Sequence, residues 1–196
     1  MLKEYFNQRA ARWDETSSER DTTKLERMIK RLNIKPGSTV LDVGTGTGIF
    51  LPYLFSSIGK KGQIVALDIA EGMLKKARAK GCDGNIDYLQ ADITEIPLRD
   101  TIFDIVVCYS SFPHFQDKSK ALVEIKRVMK SGGRLLICHT SSRADINELH
   151  RQIPAVKNNI LPNSAGMRVL LSAAGFTEIK VEDNCDSYLA SGRKSL

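Results

Sequence analysis

The residues with the clearest chemical potential in this 196-residue chain are one glycine-rich turn and three aspartates. Gly44-Thr45-Gly46-Thr47-Gly48 follows the apolar run Val40–Val43, with Asp42 two residues ahead of the first glycine. Glycines let the backbone turn sharply and let a ligand approach it with no Cβ in the way. A dinucleotide fingerprint would read G-x-G-x-x-G, yet here the third glycine arrives one residue early and Ile49 takes its place. The turn therefore admits three readings: an altered dinucleotide loop, a structural turn, or a loop shaped for another ligand. Asp68, twenty-four residues after Gly44, ends the next apolar run and is placed to accept both hydroxyls of a ribose. Asp92, followed by Ile93, ends the third. A carboxylate beside an apolar side chain suits an adenine, as acceptor for the exocyclic amine and as a surface for the ring, and it suits a turn or helix cap as well.

These residues are positioned by an alternation of strands and helices. Thr39–Val43, Gln63–Leu67, Ile86–Leu89, Phe103–Tyr109 and Arg134–His139 are apolar and β-branched, so they read as strands. Leu25, Met28, Ile29 and Leu32 keep helical spacing. So do Met73, Leu74 and Ala77 before Gly81, and Ala121, Leu122, Ile125, Val128 and Met129 before the turn Ser131-Gly132-Gly133. Strands apolar on both faces and separated by helices predict a doubly wound, Rossmann-like α/β fold with a mostly parallel sheet of seven strands and helices on both faces. After a helix over 164–174, FTEIKVED and CDSYLASGR lie too close in sequence to pair in parallel, so the sheet is expected to end in an antiparallel edge hairpin. In such a sheet a ligand lies beyond the carboxyl ends of the strands, where all three aspartates fall.

VLDVGTGTG, ALDIAEGML and QADITEIP, in that order, resemble the first three motifs of class I S-adenosylmethionine-dependent methyltransferases. GFTEIKVEDNCDSYLASGRK resembles that fold's terminal hairpin. The similarity runs over about residues 1–193 and is nearest to the small-molecule branch of ubiquinone/menaquinone-methyltransferase type. It implies S-adenosylmethionine as cofactor and S-adenosylhomocysteine as product. Carried over, it makes Asp42 and the loop Gly44, Thr45, Gly46 and Gly48 the contact for the methionine part. Asp68 holds the ribose, Ile69 packs on the adenine, Asp92 and Ile93 fix its other side, Met73 is a further cofactor-binding residue, and the strand end at Tyr109 runs beside the donor sulfonium. The implied activity is direct in-line methyl transfer to a small-molecule acceptor, a reaction that depends mainly on alignment. Beside it stand an RNA or protein methyltransferase, a cofactor-binding regulatory protein without turnover, and an NAD-dependent oxidoreductase.

The resemblance also implies a domain plan: one methyltransferase domain over 1–196, with a helical cover over 1–20, a cofactor-binding core over 21–140, a helical insertion near the acceptor over 141–175 and the terminal strands over 176–196. Tyr5, Arg9 and Trp13 are lid candidates, with Tyr5 also a candidate catalytic residue. His114, in SSFPHFQD after the fourth strand, matches a histidine common there in the family, as a base or an acceptor-orienting group. His139 ends the fifth strand. His150 belongs to a helix beginning near Ser142, on a side shared with Ile146, Leu149 and Ile153. The sharper alternative for His114, His139 and His150 is a metal site; the plainer expectation is no metal, each ring being packed or hydrogen-bonded by itself.

Composition narrows the classes further. The net charge of +6 comes from basic residues spread along polar helix faces, with no aromatic interleaving for base stacking, so a nucleic-acid partner is not expected. SSFPH stands where base-amine methyltransferases typically carry N/D-P-P-Y/F. No run approaches the roughly 20 apolar residues of a membrane span, and the polar start MLKEYFNQRA lacks the apolar core of a signal peptide. The four cysteines are scattered, without C-x-x-C spacing. The cytoplasm is the expected compartment, and a homo-oligomer is compatible with the sequence.

Overall fold

The computed structural model describes residues 2–16, 21–82 and 84–196. Its centre is a seven-stranded sheet: β1 (Thr39–Val43), β2 (Gln63–Asp68), β3 (Ile86–Gln90), β4 (Phe103–Tyr109), β5 (Met129–His139), β6 (Phe176–Asp183) and β7 (Tyr188–Lys194). The order is β3-β2-β1-β4-β5-β7-β6. The first five strands pair in parallel, while β7 is antiparallel to both β5 and β6. The hairpin is therefore present with its last strand inserted inside and β6 at the edge.

Side chains alternate across the strands and divide the core in two. On one face Leu41, Val43, Val106, Leu135 and Ile137 pack under α6 (Lys118–Val128), α7 (Arg143–Arg151) and α8 (Ser164–Ala173). On the other, Val40, Ile64, Ile105, Val107 and Leu136 pack under α3 (Thr22–Leu32) and α4 (Leu51–Ile58), with Ala77 of α5 (Glu71–Ala79). Burial on both faces explains the near-continuous apolar runs of the inner strands.

Two features depart from the sequence pattern. The Ile86–Leu89 run predicts cover on both faces, but β3 is an edge strand and none of its residues is fully buried. The fifth strand begins at Met129 rather than Arg134. Phe103 faces Met129 and Ile105 faces Arg134, so the Ser131-Gly132-Gly133 turn bulges out within the strand instead of preceding it. Beyond the glycine turn α4 starts at Leu51, whose amide bonds to the Gly48 carbonyl at 3.2 Å, so the amino end of the helix lies past the turn.

The strand order reverses between β1 and β4, which opens the crevice where this fold takes ligands. Two short helices, α1 (Leu2–Arg9) and α2 (Trp13–Thr16), lie beside that crevice. Phe6 and Trp13, together with Ile69, pack against a small buried cluster of Ala10, Ala70 and Met73, the last on α5.

Candidate active site

Backbone hydrogen bonds determine what the glycine turn can offer. The amides of Gly44 and Thr45 both donate to the Leu67 carbonyl, at 2.7 and 3.0 Å, and that of Gly48 donates to the Thr45 carbonyl at 2.9 Å. The Gly46 amide donates to Asp68 Oδ2 at 2.8 Å. A turn whose donors are consumed in this way, with two carboxylates beside it, is a poor cradle for a pyrophosphate. The three glycines do different work. A Cβ on Gly44 would collide with Ser111 Cβ, and one on Gly48 would lie 2.9 Å from Ala77 Cβ. Gly44 thus lets β1 and β4 close on each other, and Gly48 lets α5 pack. Only Gly46 has nothing within 4 Å of that position, so its backbone faces open space.

Asp42 lies beneath this turn, 2% exposed, and its Oδ2 has no hydrogen-bond partner among the described residues. Burial, with the nearby charge of Asp68 adding to it, raises its pKa to about 7; the Thr45 hydroxyl opposes the rise, although its Oγ1 closes no regular hydrogen bond. An orphaned buried carboxylate costs stability and calls for a partner. Asp68 is also buried, which raises its pKa, but it is satisfied in part: Oδ1 accepts the Ala70 amide and Oδ2 the Gly46 amide, each at 2.8 Å.

The remaining expected cofactor residues separate. Ile69 and Met73 share the small apolar cluster under Phe6 and Trp13. Ile93 is buried in the core cluster to which Leu67 and Val43 also belong. Asp92 is exposed, and its Oδ1 accepts from the Thr94 amide and hydroxyl, both at 2.8 Å, so it caps its own turn as well as standing at a strand end. Tyr109 ends β4 with its side chain buried in the core cluster that holds Phe50. Its ring stacks on Phe50 at 4.4 Å and its hydroxyl bonds Thr140 Oγ1 at 3.0 Å. The next residue, Ser110, is held at positive φ in the left-handed region, a conformation that costs a non-glycine residue energy and recurs at functional turns. Ser111 then donates to the Val43 carbonyl at 2.6 Å and ties the β4 loop to β1.

The second half of the site is a pair of histidines under an aromatic rim. The His114 ring lies 5.2 Å from Phe6 and 4.8 Å from His150. Its Nδ1 is 2.9 Å from Asn159 Nδ2, and His150 Nδ1 is 2.5 Å from the Asn159 carbonyl. Burial, then the neighbouring His150, His139 and Lys118, lowers the His114 pKa to about 3, so its ring is neutral. Phe6, rather than Tyr5, meets His114 from the cover. Tyr5 packs edge-on against Phe6 at 5.2 Å with the Arg9 guanidinium over its own ring, and Trp13 also packs edge-on against Phe6, at 5.5 Å. His139 is buried at the end of β5 beside Tyr188. Among the described residues no group of three histidine, cysteine, aspartate or glutamate side chains is arranged to hold a metal, so the three-histidine alternative finds no geometric support.

Several residues in this arrangement carry no sequence pattern. Asp14 accepts from the Thr47 hydroxyl at 2.5 Å and pairs with Lys80 at 2.7 Å, fastening the cover to the glycine turn. Asn7 Oδ1 accepts the Gly72 amide at 2.8 Å. On α7 the buried side is Ile146, Asn147 and His150, whereas Leu149 is 44% exposed and Ile153 lies past the helix end. Asn147 is buried because its amide clamps Leu161 in both directions, at 3.0 and 2.8 Å. A recess of about 650 Å³, lined by Lys35, Asp104, Lys130 and Arg193 among others, lies at the opposite end of the parallel strands and is remote from these groups.

A family described as a methyltransferase domain matches residues 41–137. A ubiquinone/menaquinone biosynthesis C-methyltransferase from Enterobacter sp. is 32% identical over 176 residues, covering 85% of this chain and 69% of its own length. Its counterpart from Idiomarina loihiensis is 33% identical, covering 76% of this chain and 64% of its own length. The chain thus spans about two thirds of the length of these relatives. A solved SAM-dependent methyltransferase from Aquifex aeolicus, 28% identical, superposes with a TM-score of 0.71 over 89% of this chain and 94% of its own. Similarity at this level, over the sheet and the glycine turn together, makes the chain a member of the class I S-adenosylmethionine-dependent methyltransferases, of the ubiquinone/menaquinone C-methyltransferase type.

Proposed function

We propose that this chain methylates a small, oxygen-bearing, partly apolar acceptor bound between the cofactor and the pair His114 and Phe6. The observation that carries the proposal is the unpartnered Oδ2 of the buried Asp42 carboxylate beside the open backbone at Gly46. A buried acid with one unpartnered oxygen fits the ammonium group at the amino-acid end of S-adenosylmethionine, and the clear space over Gly46 fits its close approach. The cofactor, when bound, supplies a methyl group already activated on a cationic sulfur. Asp42 balances the ammonium charge. Asp68 keeps Gly46 in place and still has lone pairs for the ribose hydroxyls. Ile69 and Met73 line the adenine on one side, with Ile93 and Asp92 on the other. The cover residues Phe6 and Trp13 exclude water and align the acceptor, and such positioning supplies much of the catalysis in a direct transfer.

The acceptor class follows from the apolar rim of Phe6 and the neutral imidazole of His114, and from the names of the relatives, which act in ubiquinone and menaquinone biosynthesis. We therefore place hydroquinone-like phenols first among candidates. No helix among the described residues is long and apolar enough to cross a membrane. The thiol of Cys108, buried in the core and outside any disulfide, suits a reducing compartment, and we assign the chain to the cytoplasm. The test is methyl transfer from labelled S-adenosylmethionine to a panel of phenols, hydroquinones, amines and thiols, with Asp68→Ala as control. Transfer to oxygen-bearing rings, lost in the variant, is expected. Cofactor binding without transfer to any class would overturn the proposal in favour of a regulatory protein.

A further inference from the structure

The residue between the two histidines has a part in the site that the proposed function leaves open. The nitrogen of the Asn159 side-chain amide can only donate a hydrogen bond. It stands 2.9 Å from His114 Nδ1, which must therefore accept. A neutral imidazole accepting at Nδ1 carries its proton at Nε2. The backbone carbonyl of the same asparagine can only accept, and His150 Nδ1, 2.5 Å away, donates to it. Asn159 thus sets both rings in opposite tautomers.

The segment that carries Asn159 is held firmly. Its amide donates to the Val156 carbonyl at 2.8 Å. Two residues further on, Leu161 is clamped through both backbone groups by Asn147. Asn147 and His150 lie three apart on α7, so one helix face grips the 159–161 stretch at two points. A side chain supported in this way holds its orientation, and the ring it contacts inherits that orientation. The ionisable groups that act on His114 are all basic: His150 from α7, His139 from the end of β5 and Lys118 from the start of α6. Phe6 of the cover adds only an aromatic edge. Such surroundings oppose an imidazolium.

We infer that Asn159 is a positioning residue that fixes His114 as the Nε2–H tautomer, so that His114 offers the methyl acceptor a hydrogen-bond donor and not a base. The tautomer stands on the free protein alone; the donor role toward an acceptor oxygen rests on the proposed function. A fixed donor at that position selects acceptors with a hydroxyl, oxyanion or carbonyl oxygen, because a developing negative charge there is stabilised by a donor already in place.

The test uses the 15N-labelled full chain without any acceptor. Long-range 1H–15N correlation assigns the His114 tautomer, with His114→Gln identifying its signals. The expected result is the Nε2–H form, unchanged between about pH 5 and 8. Asn159→Asp preserves the side-chain volume and the backbone carbonyl but presents only acceptors. It is expected to reverse His114 to Nδ1–H and to bring its titration up into the observed range. A wild-type Nδ1–H signal, or a tautomer unmoved in Asn159→Asp, would overturn the inference. Failure of the methyl-transfer panel would leave this result standing, so the two can fail separately. Once an acceptor is in hand, Asn159→Asp should lower kcat about tenfold with little change in KM, as loss of a donor felt mainly in the transition state does; an equal rise in KM at constant kcat would reject the donor role.

Discussion

Replacing Asp42 by asparagine should make the free protein more stable and its cofactor site weaker. The Asp42 carboxyl has its pKa raised from 3.8 to about 7 by burial. An acid whose pKa is raised by folding binds its proton more tightly when folded. Its effect is therefore absent below about pH 4, grows as a loss of stability while the pH rises toward 7, and levels off above that. A rise of this size corresponds to about 4 kcal/mol, an upper bound on the cost of keeping this charge buried near pH 8. The asparagine of the variant stays neutral at every pH and lacks that slope. Denaturant titrations of both proteins between about pH 4 and 8 measure the difference, in which other titrating groups cancel. The gap in favour of the variant should open across this range and reach several kcal/mol, roughly ten degrees in Tm for a chain of this size. S-adenosylhomocysteine, whose ammonium is the proposed partner, should stabilise the wild type more than the variant. It should also release a proton on binding near pH 6. Parallel stability curves, or equal stabilisation by the ligand, would refute the account of Asp42 as a carboxylate awaiting a cation.

Other substitutions separate structural from binding roles. Gly48→Ala, at a position of positive φ, brings its Cβ to 2.9 Å from that of Ala77. It should lose roughly 2 kcal/mol of stability in thermal melts. Gly46→Ala has open space around it, so the penalty is that of positive φ alone. That penalty should be roughly 1 kcal/mol. Calorimetry should nevertheless show its cofactor affinity falling at least tenfold. Asp14→Ala removes the contacts with Thr47 and Lys80, so limited proteolysis should cut within α1 and α2 faster, and the cofactor should dissociate faster in stopped-flow measurements. Asn147→Ala leaves both backbone groups of Leu161 without side-chain partners. It should cost roughly 3 kcal/mol in denaturant melts.

The inner strands are legible because burial on both faces leaves unbroken apolar runs; β1 and β4 have the bounds that the sequence pattern suggests. The start of β5 is not, since Ser131-Gly132-Gly133 has the composition of a turn and behaves as one while the strand continues around it. At the site, Asp42 and Asp68 can be placed from strand ends alone, because topology brings those ends together. Gly48 looks like part of a ligand-shaped loop, and its steric requirement comes instead from Ala77, a contact that local spacing cannot reveal. The end of β4 at Tyr109 is legible as those strand ends are, but the packing of its ring on Phe50 is a contact that only the fold reveals. Asn7, Asp14, Asn147 and Asn159 act through hydrogen bonds to residues outside their own elements. Such contacts leave no periodicity, so only the folded arrangement identifies them.

A crystal structure of this chain with S-adenosylhomocysteine tests the central claim most directly. The ligand's ammonium group is expected on Asp42, its backbone approach at Gly46, its ribose hydroxyls on Asp68, and its sulfur facing the space bounded by Phe6 and His114. A ligand bound elsewhere, or one in the crevice with Asp42 still unpartnered and its sulfur turned away from His114, would contradict this assignment.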